Sequence, residues 1–548
     1  MSLSPMSGFF GELKVSKREG LFLLSIYIFS VAIRLIPKLA LDSHLPAFQA
    51  DVWYRICMAQ YILDHWKLPE PDIRYLAYGY VPMWYPPLSV FSMAVLSKIT
   101  TLDLPTLCTR LIPFFEGISS LSIFFLARYL YDERTAFFST LMCALTPSLI
   151  YWTGIADPQS MIIFLIPLFI LFWLSHAKAP SIKGILISGV FLGMVFLFHL
   201  SYFILILTLL CTTLYISIRE RRVKIFLDLF ILIIISQTVV AWWWLPRNLY
   251  HWWIDVLTSS SQFYTTAQHL TYFGRTAALL AFFSILFSAL KRDKYFLLLS
   301  LWALPLLCET QNETILSALG RLDLSWSTLA KPLEGFRFYV FLAQPLAIFS
   351  GYLLSHLIEI RGRWMYAGIF CISLLGGAMA YDLYEYPITG VITNSGMTRE
   401  EYDAAVFFRN NSLPGDRIIG DYYRAQMVAG VCGGKALLGG LFPLRNIEYP
   451  YVSKHDSVYP IVQDDIYRIY TQESLEETVS LMHKYGATHV YYSTHLEYYG
   501  YLGTTLKTGF GIPVSLDKFN QGFQIVYRSE NVIIFALKTK NYINRWVQ

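Results

Sequence analysis

The chain has 548 residues, of which 55% are hydrophobic and 15% charged, with a formal net charge of +5 and a mean hydropathy of +0.46. That balance excludes a soluble globule, because apolar runs of about 17–25 residues are long enough to cross a hydrocarbon core as helices. The small net charge, with no basic stripe interleaved with aromatics, excludes a nucleic-acid partner. The seven cysteines, at 57, 108, 143, 211, 308, 371 and 432, show no CxxC and no paired spacing, so they predict neither a zinc site nor a disulfide framework.

Lys14, Lys17 and Arg18 precede an apolar run from about Leu21 to Leu35, and no small-residue cleavage site follows. This run is expected to stay in the membrane as the first span. A long segment comes next, 39–107, dense in Tyr, Trp and Pro and carrying Ala50-Asp51-Val52-Trp53-Tyr54-Arg55 near its start. An interfacial aromatic belt fits that composition. So does an acid held near a bilayer surface to act on a lipid-borne substrate. Within it, Pro86 to Thr100 is short for a span, and counting it as one would invert every later loop, so it is expected to lie on or dip into the outer face.

In all, about eleven spans are expected, centred near residues 28, 118, 144, 167, 191, 209, 234, 282, 302, 345 and 372. Short basic loops then fall on one side: Lys178 and Lys183, Arg219 to Lys224, Lys291 to Lys294, and Arg361 with Arg363. The positive-inside rule makes that side cytoplasmic, with the N-terminus inside and the C-terminal segment outside. The long loops, with Asp51, Asp157, 247–275 and 309–337, share the outer face, so the chemistry is expected there.

From about Asp382 the rhythm becomes that of a soluble domain. Helices are expected over Thr398 to Asn410 and Gln472 to Tyr485, the second stopped by Gly486. Strands are expected at Arg417 to Gly420, Ala436 to Leu438, His489 to Ser493, Phe523 to Tyr527 and Val532 to Leu537, the last two as a hairpin. The expected architecture is therefore a polytopic α-helical membrane domain over 1–381 and an extracytoplasmic α/β domain over 382–548. The triplets at Asn312 and Asn410 fit glycosylation acceptors but arise often by chance.

Several stretches could carry chemistry. Besides Asp51 to Arg55 with the later Tyr85-Pro86-Pro87, they are Gly154-Ile-Ala-Asp157-Pro-Gln159, Ser259-Ser-Ser-Gln262, Gly335-Phe-Arg337 opening a proline-containing span, and Ile418-Ile-Gly-Asp421-Tyr422. Taken in this order they resemble the oligosaccharyltransferase catalytic subunit, particularly the archaeal single-subunit enzymes. These are GT-C glycosyltransferases that take a sugar from a polyprenyl phosphate or pyrophosphate at the outer face. The resemblance covers most of the chain, but each motif is degenerate. Arg55 sits closer to Asp51 than the family pattern has it. Gln159 and Gln262 stand where the family has an acid, and the tryptophans and glycine of Trp-Trp-Asp-Tyr-Gly are missing around Asp421-Tyr422.

The resemblance implies roles. Asp51 and Asp157 would be catalytic and would hold Mg²⁺ or Mn²⁺ with Gln159, since hard oxygens suit those ions. Two carboxamides in place of carboxylates remove two negative charges, which leaves metal dependence open. Arg337, with Arg55, would bind the lipid phosphate through its planar donor fork. Gln262, Asp421 and Tyr422 would face the acceptor. For Asp157 a helix N-cap before Pro158 fits equally, for Arg337 snorkelling to the headgroups, and for the serine run a flexible polar loop. The expected partners are a polyprenyl-phosphate-linked sugar, membrane lipid, and a protein or glycan acceptor. Protein N-oligosaccharide transfer proper and a catalytically silent glycan-lipid-binding relative are the competing readings. A transporter, with His199 as its best buried polar group, ranks below both.

Overall fold

The computed structural model describes residues 13–40, 50–70, 85–154, 158–246, 273–310, 338–359, 398–432, 458–502 and 505–538, with short pieces at 11, 83, 377–378, 381–384 and 436–437. The side chains of 37–40, 50–51, 422–423, 436–437, 458–463, 497–502 and 505–510 are not among the described groups. The chain divides into two compact units, one of residues 1–42 and 108–394, the other of 43–107 and 395–548.

The first unit is helical. Its elements are α1 (Lys17–Ala40), the segmented helix α4 (Leu104–Leu130, whose first turn belongs to the other unit), α5 (Glu133–Leu145), α6 (Pro147–Thr153), α7 (Gln159–Lys178), α8 (Ile182–Phe198), α9 (Tyr202–Glu220), α10 (Ile225–Trp244), α11 (Arg275–Leu290), α12 (Phe296–Thr310) and α13 (Tyr339–Ile358). Among the described residues six of these are long and apolar enough to cross a membrane, and α5 with α6, bent by 61°, makes a seventh. Three shorter apolar helices, α8, α11 and α12, lie at other expected spans. Ten of the eleven expected centres thus fall on apolar helices, and the one near 372 lies outside the described residues. The chain is a multi-pass membrane protein.

Local sequence explains how these helices start and meet. Ser16 and Glu19 close a capping box at the start of α1, with Ser16 N donating to Glu19 at 2.6 Å and Glu19 N to Ser16 at 3.2 Å. The same glutamate pairs with Arg128 at 2.6 Å, tying α1 to the end of α4. In α7, Pro167 has no N–H for the Ile163 carbonyl one turn back. Gln344 of α13 supplies the missing donor, its Nε2 reaching Ile163 O at 2.5 Å. Helices α8 and α10 approach closely because Gly189 and Gly193 lack side chains where Ile235 and Val239 press in. Asp382, far along the chain, accepts from Thr276 N at 2.8 Å and so caps α11, whose own cap position is the side-chain-free Gly274.

The second unit contains α2 (Ala50–His65), α3 (Pro87–Thr100), α14 (Arg399–Asn411), α15 (Tyr422–Cys432), α16 (Val458–Thr471), α17 (Leu475–Lys484) and α18 (Leu516–Gly522). Its five-stranded sheet has the order β2-β1-β3-β7-β6, from β1 (Ile418–Ile419), β2 (Ala436–Leu437), β3 (His489–Ser493), β6 (Phe523–Arg528) and β7 (Val532–Leu537). Strands β1 and β2 are parallel, as are β1 and β3, while β3, β7 and β6 run antiparallel. The strands β4 (Glu497–Leu502) and β5 (Thr505–Gly511) form a separate hairpin. Thr398 and Glu401 make the capping box of α14, and Gly486, at φ +62°, takes the left-handed position that stops α17.

The sequence reading groups residues 39–107 with the membrane domain. The compact units instead place 43–107 with the C-terminal segment. The contact responsible is α15 on α2, where a Cβ at Gly430 would lie 2.9 Å from the Trp53 ring and 3.1 Å from the Trp53 carbonyl. From Val52 to Ala59 every residue of α2 is buried. Trp53 and Tyr54 are core side chains of this unit, while Trp66 just beyond α2 is exposed.

One titration follows from the sheet. His489 is fully buried in β3 against Phe408, and burial pushes its imidazole down to about 4, with Asp416 opposing part of that shift. The folded state therefore prefers the neutral ring. Its contribution is complete above the unfolded value near 6.5 and is lost as pH falls toward 4, by about 3 kcal/mol at full loss. Unfolding midpoints measured from pH 7 to 4 should fall across that window, and His489→Gln should flatten the dependence. A wild-type slope unchanged in the variant would show that other groups govern it.

Candidate functional site

The two halves of the first-loop pattern meet in the second unit. Arg55 lies one helical turn beyond Asp51 on the same face of α2. It is 3% exposed, and its Nε donates to the Tyr85 hydroxyl at 3.1 Å across thirty residues of chain. The guanidinium sits 5.6 Å from the Tyr85 ring centroid, and Tyr54 meets that ring edge-on at 5.5 Å. Pro86 then occupies the cap position and Pro87 opens α3, where a missing N–H is harmless. Arg55 and Tyr85 thus bind the start of α2 to the start of α3, with an arginine held under an aromatic ring beside the turn that carries Asp51.

In the first unit, the described residues on either side of Asp157 are Gly154 and Pro158. Helix α6 ends at Thr153, with Gly154 as its cap, and α7 begins at Gln159 behind Pro158. Pro158 is thus the cap residue of α7, where the sequence reading has it as the first helical residue. Gln159 is 2% exposed. A Cβ on Gly154 would lie 2.9 Å from the Ile150 carbonyl, so the glycine of this motif is a close-approach position. The buried side chain of Arg34, from α1, packs against this corner. Its Nε donates to Thr153 Oγ1 at 2.9 Å and its Nη1 to Ser30 O at 2.8 Å. Arg34 was not singled out from the sequence, where it reads as one basic residue at the end of an apolar run.

Asp157, Gln262 and Arg337 lie outside the described residues, as do the side chains of Asp51 and Tyr422. Asp421 is described, and it caps α15. One oxygen accepts from Arg424 N at 2.6 Å and the other from Arg424 Nη1 at 3.2 Å, with the aspartate 2% exposed. The same arginine reaches Glu401 at 3.1 Å, which also accepts from Ser493 at 2.6 Å. This is a buried framework joining α14, α15 and β3.

Among the described residues no group of three or more His, Cys, Asp or Glu side chains is placed to hold a metal ion. Of the expected ligands the described set offers only the neutral carboxamide of Gln159.

Residues 86–244 match the family model described as dolichyl-phosphate-mannose-protein mannosyltransferase. No curated protein matches the chain by sequence. Solved structures do match. The apo oligosaccharyltransferase of Archaeoglobus fulgidus aligns over 94% of this chain and 81% of its own at a TM-score of 0.61 and 12% identity. The archaeal oligosaccharyltransferase AglB of the same organism, solved with an inhibitory peptide and a dolichol-phosphate, aligns over 87% and 70% at 0.57 and 14%. ArnT from Cupriavidus metallidurans bound to undecaprenyl phosphate aligns over 96% and 99% at 0.57 and 12%. The chain has the GT-C fold. The family match begins at Pro86, within the Tyr85-Pro86-Pro87 turn, and includes Gly154 to Gln159. It contains neither Asp51 nor Arg337. Another Archaeoglobus fulgidus oligosaccharyltransferase structure, 13% identical at a TM-score of 0.57, holds zinc and sulfate.

Proposed function

We propose that this GT-C chain is an outer-face, inverting glycosyltransferase. It would move a sugar or oligosaccharide from a polyprenyl phosphate or pyrophosphate to an extracytoplasmic protein or glycan acceptor. The observation that carries the reading is the pairing of the first-loop motif's two halves through Arg55 and Tyr85. The similar structures support it, since two of them were solved with dolichol-phosphate or undecaprenyl phosphate bound.

In this reading the acceptor's nucleophilic atom attacks C1 of the sugar from the face opposite the phosphate. The C1–O bond breaks, and its electron pair leaves with the lipid phosphate, so one displacement inverts the anomeric centre. Asp51 takes the acceptor's proton as general base. Arg337 neutralises the charge growing on the departing phosphate, and Arg55 is the second arginine assigned to the lipid phosphate. Asp157 and Gln159 arrange the second loop. A Mg²⁺ or Mn²⁺ ion, if held there, would add Lewis-acid stabilisation. The two carboxamides favour a site that works through arginine instead. With Asp421 engaged by Arg424, the acceptor side rests on Gln262 and Tyr422. The N-terminus would be cytoplasmic and residues 382–548 extracytoplasmic.

The test is transfer from lipid-linked sugars, extracted from the host's own membranes, to a panel of protein and glycan acceptors, with Mn²⁺ or with EDTA. Wild-type protein should transfer, and Asp51→Asn should lose about 100-fold or more in kcat. Bound glycan lipid without transfer to any acceptor would replace this reading with that of a silent binding relative.

A further inference from the structure

Arg34 is a guanidinium 2% exposed within an apolar span. A charge there is costly, and a leucine would pack at less expense, so the arginine needs compensating partners. The hydrogen bonds supply them. A threonine hydroxyl offers one proton and two lone pairs. Thr153 gives its proton to the Leu149 carbonyl at 2.7 Å, one turn back in α6. Its lone pairs then face outward, and both Nε and Nη2 of Arg34 donate to them. Nη1 is fixed by Ser30 O within α1 itself. Glu116 of α4, also buried, attracts the guanidinium. The arginine's stem passes 3.9 Å from where a Gly154 Cβ would stand. A rigid fork rooted in α1 therefore grips the last helical residue before the Gly154-to-Gln159 motif.

We propose that Arg34 is a positioning residue that clamps Thr153 and Gly154, and so fixes how the chain enters the segment bearing Asp157 and Gln159. This rests on the glycosyltransferase reading for its consequence, but the clamp can be read without it. A single ammonium cannot reproduce a two-pronged hold on one hydroxyl, so lysine should not replace the arginine.

The experiment compares wild type with Arg34→Lys, Arg34→Met, Thr153→Val and Thr153→Ser. Two readouts are taken: amide hydrogen exchange over 150–154 and 158–162, and kcat with donor KM in the transfer assay. Thr153→Val, which keeps shape and removes both lone pairs, should speed exchange there by about tenfold and lower kcat by about tenfold, with donor KM within about twofold. Arg34→Lys and Arg34→Met should do the same, and Thr153→Ser should behave as wild type in both. Unchanged exchange in Thr153→Val would overturn the clamp, as would a rise in donor KM with kcat intact. If Arg34→Met fails to fold, the threonine pair decides. If the wild type transfers no sugar, the glycosyltransferase reading falls, and exchange alone judges the clamp.

Discussion

Arg424→Met should lower the stability of the second unit by about 3 kcal/mol, because it removes the counter-charge of two buried carboxylates. The Arg424 side chain is 4% exposed, that of Glu401 0% and that of Asp421 1%. Each acid is tied to the arginine at 3.1–3.2 Å. Methionine fills similar volume, so lost packing is a minor part of the effect. Asp421→Asn, by contrast, should cost about 1 kcal/mol, since a carboxamide oxygen can still cap the Arg424 amide. The damage in Arg424→Met should extend to α2, because α15 carries Gly430 against Trp53. Thermal unfolding of the full chain in detergent, with protease protection of residues 398–538 and of α2, checks this. Wild-type protection in Arg424→Met would mean that the two acids find other partners.

That coupling also explains which parts of the protein could be read from its sequence. Apolar runs such as those around 167, 209 and 234 announce themselves by length, since a bilayer imposes it whatever the neighbours are. The β6–β7 hairpin was legible because its strands carry the pattern locally, and Gly486 because a left-handed helix stop favours glycine. Helix α2 was not. Its Trp, Tyr and Arg side chains suit a membrane interface as well as they suit a core. The contacts that bury them, Tyr85 and Gly430, lie far along the chain. The short strands β1 and β2 fall inside the stretches expected as strands, Arg417 to Gly420 and Ala436 to Leu438, whereas the helices α15 and α16 beside them carry no comparable local signal. Asp421 has the marks of a cap, an acid three residues before Arg424, and its likeness to an acceptor-binding motif is equally legible, so sequence alone does not choose between the two. Arg34 was invisible for a related reason. A lone arginine near the end of a span fits snorkelling, and its burial depends on Thr153, 119 residues away.

Gly351→Leu should be among the most damaging single changes in the membrane unit, costing about 3 kcal/mol or more. Helices α5 and α13 touch there with the glycine against both the Ser139 hydroxyl and the backbone of α5. A Cβ at 351 would lie 2.5 Å from Ser139 N and 2.8 Å from the Thr135 carbonyl, and would fall on Ser139 Oγ itself. No rotamer relieves that, so the helices must separate. Separation would break the Thr135 to Ser355 hydroxyl bond at 3.1 Å and pull Gln344 from the carbonyl that Pro167 leaves open. Gly189→Ala is the useful contrast. Its Cβ would meet Ile235 Cβ and Cγ2 first, each at 2.8 Å, and the Leu232 carbonyl at 3.1 Å, so α8 and α10 must part, but by less than the 2.5 Å approach to Ser139 N demands of α5 and α13. Heating in detergent followed by gel filtration should therefore rank wild type above Gly189→Ala and Gly189→Ala well above Gly351→Leu. Transfer should follow a different order of sensitivity. Helix α13 begins two residues after Arg337, and α5 leads through α6 to Gly154. Even the milder Gly351→Ala, at temperatures where it stays folded, should lose kcat, whereas Gly189→Ala, on helices that carry none of the candidate residues, should keep it. Equal kcat in the two alanine variants would separate the α5–α13 contact from the chemistry and leave it a matter of stability alone.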